Sequence, residues 1–126
     1  MNSFLLNDFY SITSSQLIED NKIGFNILLN KTHDIFKGHF ENATVVPGVC
    51  QTQIVKELLQ IHLQKDLMLH KGNNFKFLSM INPQKVENLS VEIIFKNDNN
   101  NIRFEAKLFF ETTIFTKFNG SFIDIK

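Results

Sequence analysis

A change of hydrophobic period at Pro47-Gly48 constrains this chain more than any other feature. From Gly48 to about Leu63 the apolar residues recur at helical spacing. Cys50, Ile54, Leu58 and Ile61 form one stripe, broadened by Val55, Leu59 and His62. Pro47 sits near the start, where a missing N–H costs nothing, and it discourages helix at Val46. Elsewhere the recurring period is two, so one long helix must be reconciled with a chain otherwise made of strands.

Strands are expected over about residues 9–18 and over Lys22 to Asn30, with a loop from Thr32 to Pro47. Beyond the helix, Lys71-Gly-Asn-Asn74 reads as a turn, and Phe75 to Ile81 as a strand ended by Asn82-Pro83. Leu89 to Phe95 and Ile102 to Glu111 alternate cleanly. Lys96-Asn-Asp-Asn-Asn-Asn101 joins them as a hairpin turn, because Asn and Asp tolerate positive φ. Thr113 to Ile125 supplies a last strand, bent at Asn119-Gly120. Phenylalanines crowd the second half and read as strand residues of a sheet core. The 126 residues make one α+β domain, 1–126. One helix cannot cover both faces of such a sheet. A curved antiparallel sheet wrapped around the helix, with its other face covered by a second copy, is the economical arrangement.

Composition removes several function classes. Lys+Arg and Asp+Glu are 13 each, which gives no electrostatic argument for nucleic acid or an acidic membrane surface. With Cys50 as the single cysteine, neither an intrachain disulfide nor a cysteine-based zinc cage can form. The four histidines lack the acidic spacing of a metal triad. There is no Gly-rich phosphate loop and no serine elbow, and no cofactor is expected. No signal peptide and no membrane-length apolar run is visible, so the cytoplasm is the expected compartment.

The loop before the helix carries the chemistry. Gly38-His39-Phe40 is followed, eight positions after His39, by Pro47-Gly48-Val49. This segment resembles the active site of the β-hydroxyacyl-acyl-carrier-protein dehydratases of the FabA/FabZ type, which typically read Gly-His-Phe-Pro-Gly-x-Pro-x-x-Pro-Gly-Val. Here Glu41, Asn42 and Thr44 replace the family's Pro, Gly and Pro. The resemblance is specific over about residues 36–53. It implies a hot-dog fold, a dimer, and an acyl carrier protein or CoA thioester as substrate carrier.

Removing water from a 3-hydroxyacyl thioester needs a base at the carbon beside the carbonyl, an acid for the departing hydroxyl, and donors for the enolate-like oxygen. The resemblance assigns the acid–base role to His39, whose residue type titrates near neutrality. The amides of Gly48 and Val49, at a helix N-terminus, would polarise the carbonyl. Gly48 lets the thioester approach the backbone, and Phe40 and Pro47 would line the substrate site.

The family's helix carboxylate falls at Gln53, which can hydrogen-bond a hydroxyl but cannot exchange a proton at neutral pH. Gln53-Ile-Val-Lys-Glu57 holds the family's Glu-x-x-x-Gln types in swapped order, one turn apart. Glu57 is thus a candidate proton carrier, against the plainer expectation that it pairs with a lysine or faces solvent. His33 and His70 read as loop and exposed residues, and Cys50 as packing.

The leading expectation is a 3-hydroxyacyl-thioester dehydratase of fatty-acid or polyketide/aryl-polyene-type biosynthesis, acting as a homodimer or with a related hot-dog subunit. The alternatives are a non-catalytic acyl-binding or partner subunit, marked by Gln53, and an acyl thioesterase.

Overall fold

The computed structural model describes residues 4–36 and 45–125. Six strands form one antiparallel sheet: β1 (Tyr10–Glu19), β2 (Lys22–Leu29), β3 (Leu67–Phe77), β4 (Asn88–Asp98), β5 (Asn101–Phe110) and β6 (Thr113–Asp124). Their order across the sheet is β1-β2-β4-β5-β6-β3. The one α-helix among the described residues, α1 (Gly48–Leu63), connects the β2 side to β3 on the far edge. It lies against the sheet face bearing Ile102, Phe104, Ala106 and Leu108, in a single core shared with Ile54, Val55, Leu58 and Leu59. One long helix on an antiparallel sheet is the arrangement the period change demanded.

Hairpin chemistry sets the register. Asp98 pairs with Asn101, so the β4–β5 turn is only Asn99-Asn100, with Asn99 at φ 58°. Asparagine accepts that left-handed conformation readily. The strands therefore run further into the asparagine run than the sequence reading placed them. The β5–β6 hairpin is equally tight, with Glu111 at φ 53°.

Several expectations need correction, and the strand expected over Phe75 to Ile81 ends at Phe77 as the last part of β3. Lys71-Gly-Asn-Asn74 is not a turn, because β3 runs through it. Register shifts between Leu69 and Lys71 and between Gly72 and Asn74 absorb its irregularity as bulges on an edge strand. A Cβ at Gly120 would collide with the Lys71 carbonyl, so glycine is what lets β6 pass this bulge without the expected bend. On the helix, His62 is exposed, whereas Gln51, Glu57 and Gln60 are buried beside the apolar stripe. The helix is enclosed on a second side by the segment before β1.

Glu57 makes that enclosure. It is fully buried. Its Oε2 accepts from the Phe4 and Leu5 amides at 2.8 and 3.0 Å, and its Oε1 from the Leu6 amide at 2.9 Å. The Tyr10 hydroxyl donates to Oε1 at 3.0 Å and Gln53 Nε2 to Oε2 at 2.8 Å. Three successive amides around one carboxylate form an anion nest. Burial, reinforced by the neighbouring carboxylate, pushes the Tyr10 phenol far up, so its hydroxyl remains a donor. Hydrogen bonds to a charged group contribute roughly 1.5–3 kcal/mol each, and orphaning a buried donor costs a similar amount.

Glu57→Gln, which keeps the shape but loses the charge, is expected to destabilise by about 2–3 kcal/mol, lowering Tm by roughly 10 °C. Tyr10→Phe should cost about 1–2 kcal/mol. Denaturant melts of both variants check this. Wild-type stability in Glu57→Gln would remove the carboxylate from its anchoring role.

Candidate active site

The helix start is built from backbone. Pro47 stands at the N-cap with φ −63° and ψ 152° and offers no side-chain cap. Its carbonyl is taken by the amides of Cys50 and Gln51 at 3.0 and 3.1 Å. The amides of Gly48 and Val49 therefore have no carbonyl within the helix to bond, and they sit at the positive end of its dipole. Val46 is held by its amide to the Ile81 carbonyl at 2.8 Å, and its own carbonyl accepts from Gln51 Nε2 at 3.1 Å. Gln51 thus ties the approach to the helix into the helix itself.

A file of phenylalanines links the sheet core to this point. Phe122 stacks on Phe104, Phe104 meets Phe118 edge-on, Phe118 stacks on Phe75, and Phe75 stacks on Phe77. Phe77 lies over Gly48: a Cβ built on Gly48 would stand 3.0 Å from Phe77 Cζ. A glycine is needed here for close approach rather than for an unusual φ. Phe77 is 59% exposed, and it forms an apolar wall beside the two helix-start amides. The sequence reading counted Phe77 as core. Its place at the end of a bulged edge strand breaks the alternation that would have revealed it.

The candidate residues fall into three groups. Pro47, Gly48 and Val49 come together at the helix start, with Val49 78% exposed. Gln53 and Glu57 are joined to each other on the helix. His39 and Phe40 lie outside the described residues. Because a carboxylate can only accept, the Gln53 amide turns its NH₂ toward Glu57, an orientation assigned from the bond itself. Its Oε1 is thereby left as an acceptor on a half-buried side chain. Glu57 neither faces solvent nor pairs with a lysine. Both its oxygens are engaged, and its link toward the helix start runs through Gln53.

Cys50 is buried, and desolvation pushes its thiol up, which is the behaviour of a packing residue. His33 accepts from the Ile35 amide at Nδ1 and meets Asp8 through Nε2 at 3.0 Å, with Phe9 against its ring. That pins the loop leaving β2. His70 is exposed.

Sequence reasoning missed two buried polar groups. Among the described residues Gln51 Oε1 and Thr116 Oγ1 have no hydrogen-bond partner, and Thr116 pairs in register with Phe77. Neither residue type in a core pattern signals such a role. Among the described residues no cluster of His, Cys, Asp and Glu is placed to hold a metal ion, and no helix is long and apolar enough to cross a membrane.

Comparison with known proteins agrees with this architecture. A chain of the dehydratase heterocomplex ApeI:P from Xenorhabdus doucetiae superposes with a TM-score of 0.71 at 19% identity, covering 89% of this chain and 96% of that one. An uncharacterized protein from Erwinia carotovora subsp. atroseptica gives a TM-score of 0.64 at 20% identity, over 90% and 95% of the two chains. A putative thioesterase, yhdA from Lactococcus lactis, gives 0.64 at 13% identity, over 91% and 94%. At these identities the likeness shows the fold, which is the hot-dog fold. No curated protein matches the sequence. The family model described as ApeI-like, ApeI dehydratase, matches residues 14–117, a span that holds the Gly-His-Phe segment, the helix start, all of β2, β3, β4 and β5, and parts of β1 and β6. The chain belongs to the ApeI-like dehydratase family.

Proposed function

We propose that this protein removes water from 3-hydroxyacyl thioesters carried on acyl carrier protein or CoA. The observation that carries the reading is the helix start, where two amides without helical partners stand beside a glycine beneath an apolar ring. A thioester carbonyl set there would have its developing negative charge met by fixed donors. His39 takes the proton from the carbon next to that carbonyl and returns one to the departing hydroxyl. One C–H and one C–O bond break, a C=C bond forms, and water leaves. Gln53 accepts a hydrogen bond from the substrate hydroxyl at Oε1, held in that orientation by Glu57. Glu57 is therefore a positioning residue in this scheme, and the proton chemistry rests on His39.

The second chain in this scheme docks at β3. That edge strand and the residues after it expose Met68, Leu69, Phe75, Phe77, Leu78 and Met80. An unpaired apolar edge of this size invites pairing with another strand. A second hot-dog chain would cover it, either an identical copy or a related subunit. The ApeI:P structure is itself a heterocomplex. A non-catalytic partner-subunit reading is favoured by one observation, the glutamine at position 53.

Purified protein at micromolar concentration is expected to show twice the chain mass by light scattering, and Met80→Asp with Leu78→Asp to shift it to the monomer. A monomeric wild type would point to a different subunit on this edge.

Mass-spectrometric assay of 3-hydroxyacyl-carrier-protein substrates should show water loss that disappears in His39→Ala. Gly48→Ala should lower turnover at least tenfold while moving Tm by only a few degrees, since Phe77 can swing aside but the approach to the amides closes. Free thiol without water loss would indicate a thioesterase. Neither product from any chain length would leave the partner-subunit reading.

Gln53→Glu tests the carboxylate swap. It sets two carboxyl groups at the 2.8 Å of the present bond, and both cannot ionise there. The raised pKa of the pair makes the folded state the better proton binder, so the stability deficit against wild type should widen as pH rises from 5 to 8. Tm measured across that range, with turnover, separates lost folding from altered chemistry.

A further inference from the structure

Charges that balance over the chain do not balance over its surface. Two adjoining clefts, of ≈ 670 and ≈ 360 Å³, open on the sheet face turned away from α1. Together their linings hold seven of the chain's 13 Lys and Arg side chains and two of its 13 carboxylates, Glu92 and Glu105. An ordinary solvated face intersperses the two signs.

Register sharpens the asymmetry. Lys76 on β3 pairs with Lys117 on β6, and Lys117 pairs with Lys107 on β5. Three lysines thus stand directly opposite one another on adjacent strands about 4.8 Å apart. A second row places Lys96 opposite Arg103, with Lys71 two strands further on across Ser121. Like charges directly opposite destabilise a sheet. Glu92 relieves only one end, meeting Lys107 at 3.4 Å and Lys22 at 3.8 Å. Among the described residues the other cations of the two rows have no ion pair.

We propose that this outer face docks the acidic surface of a partner protein. The rows lie about 13 Å apart along β5, four residues at a strand's rise. Between them runs a seam of Ile94, Glu105, Asn119 and Asn74. Two strips of carboxylates on a protein surface match two cationic strips. A second copy of this chain does not, because like faces repel. A single-stranded nucleic acid is disfavoured twice: Glu105 would repel a phosphate chain crossing the seam, and the aromatics are not free to stack, since Phe95, Phe104 and Phe118 of the cleft linings are buried and Phe109 lies beneath Lys107 Nζ at 4.7 Å from its ring centre. The docking is independent of the chemistry at the helix start.

Poly-L-glutamate is the probe, with oligo(dT) as the nucleic-acid comparison, both followed by fluorescence anisotropy against salt. The wild type is expected to bind poly-L-glutamate with an affinity that falls as salt rises. Lys107→Glu with Lys117→Glu should weaken it at least tenfold. Lys31→Glu with Lys85→Glu, which changes net charge equally but elsewhere, should leave it within about twofold. Lys117→Glu alone should raise Tm by about 2 °C at low salt, and the gain should vanish at 1 M salt, because the row is held against its own repulsion. Equal loss in both double variants, tighter binding of oligo(dT), no binding by the wild type, or a lower Tm in Lys117→Glu would each overturn the proposal.

Discussion

A carboxylate buried away from solvent has to be surrounded by donors, and the structure is organised around meeting that demand at Glu57. The carboxylate sits on the one helix, so its donors must come from whatever covers the helix side not taken by the sheet. Three come from consecutive amides of the segment before β1, one from the first residue of β1 and one from Gln53. Chain start, first strand and helix are thereby fixed to one another by a single side chain. The apolar contacts alone would not do this, since burial is non-directional and tolerates sliding. Five directed bonds to one charge set the position as well as the stability.

The same arrangement bears on Gln53, the position at which the resemblance to dehydratases of the FabA/FabZ type implies a carboxylate. With Glu57 committed to the N-terminal segment, its charge orients the Gln53 amide and leaves one carbonyl oxygen available. A carboxylate at both positions would place two negative charges within one hydrogen-bond length. The residue types at 53 and 57 are thus one coupled choice, since anchoring at 57 makes a neutral side chain at 53 the compatible one. The helix start remains unaffected, because its donors are backbone amides, whose positions depend on Pro47, Gly48 and the phenylalanine file rather than on the identity of residue 53.

How much of this the sequence revealed follows from which forces are local. The helix bounds were legible because a 3.6-residue period and a proline N-terminus are local signals. The β4–β5 hairpin was legible because asparagine tolerates the turn, although its strands run closer to the tip than alternation indicated. Residues 71–74 misled because Gly-Asn-Asn is turn chemistry locally. Pairing of β3 with β6 along its length outweighs that preference and turns it into bulges. The anchor at Glu57 was illegible, because four of its five donors lie 47 to 53 residues away in sequence. Phe77 could not be told from a core phenylalanine, since exposure at a sheet edge depends on strand order and not on pattern.

Formal charge shows the same limit in reverse. Equal numbers of acidic and basic residues exclude a strong overall field, and that inference from composition holds at distances beyond a Debye length. Within that length what matters is placement, and placement is set by register. Because side chains alternate faces along a strand, Lys107 and Arg103 on β5 must share a face, and antiparallel pairing then brings Lys117, Lys76 and Lys96 onto it. A one-residue slip of β6 would carry Lys117 to the core face and Phe118 to the outside, so burial of the phenylalanines fixes the lysine rows. The hydrophobic pattern that builds the core therefore also writes the charge pattern of the opposite surface, and a chain neutral in sum becomes strongly polar across its sheet.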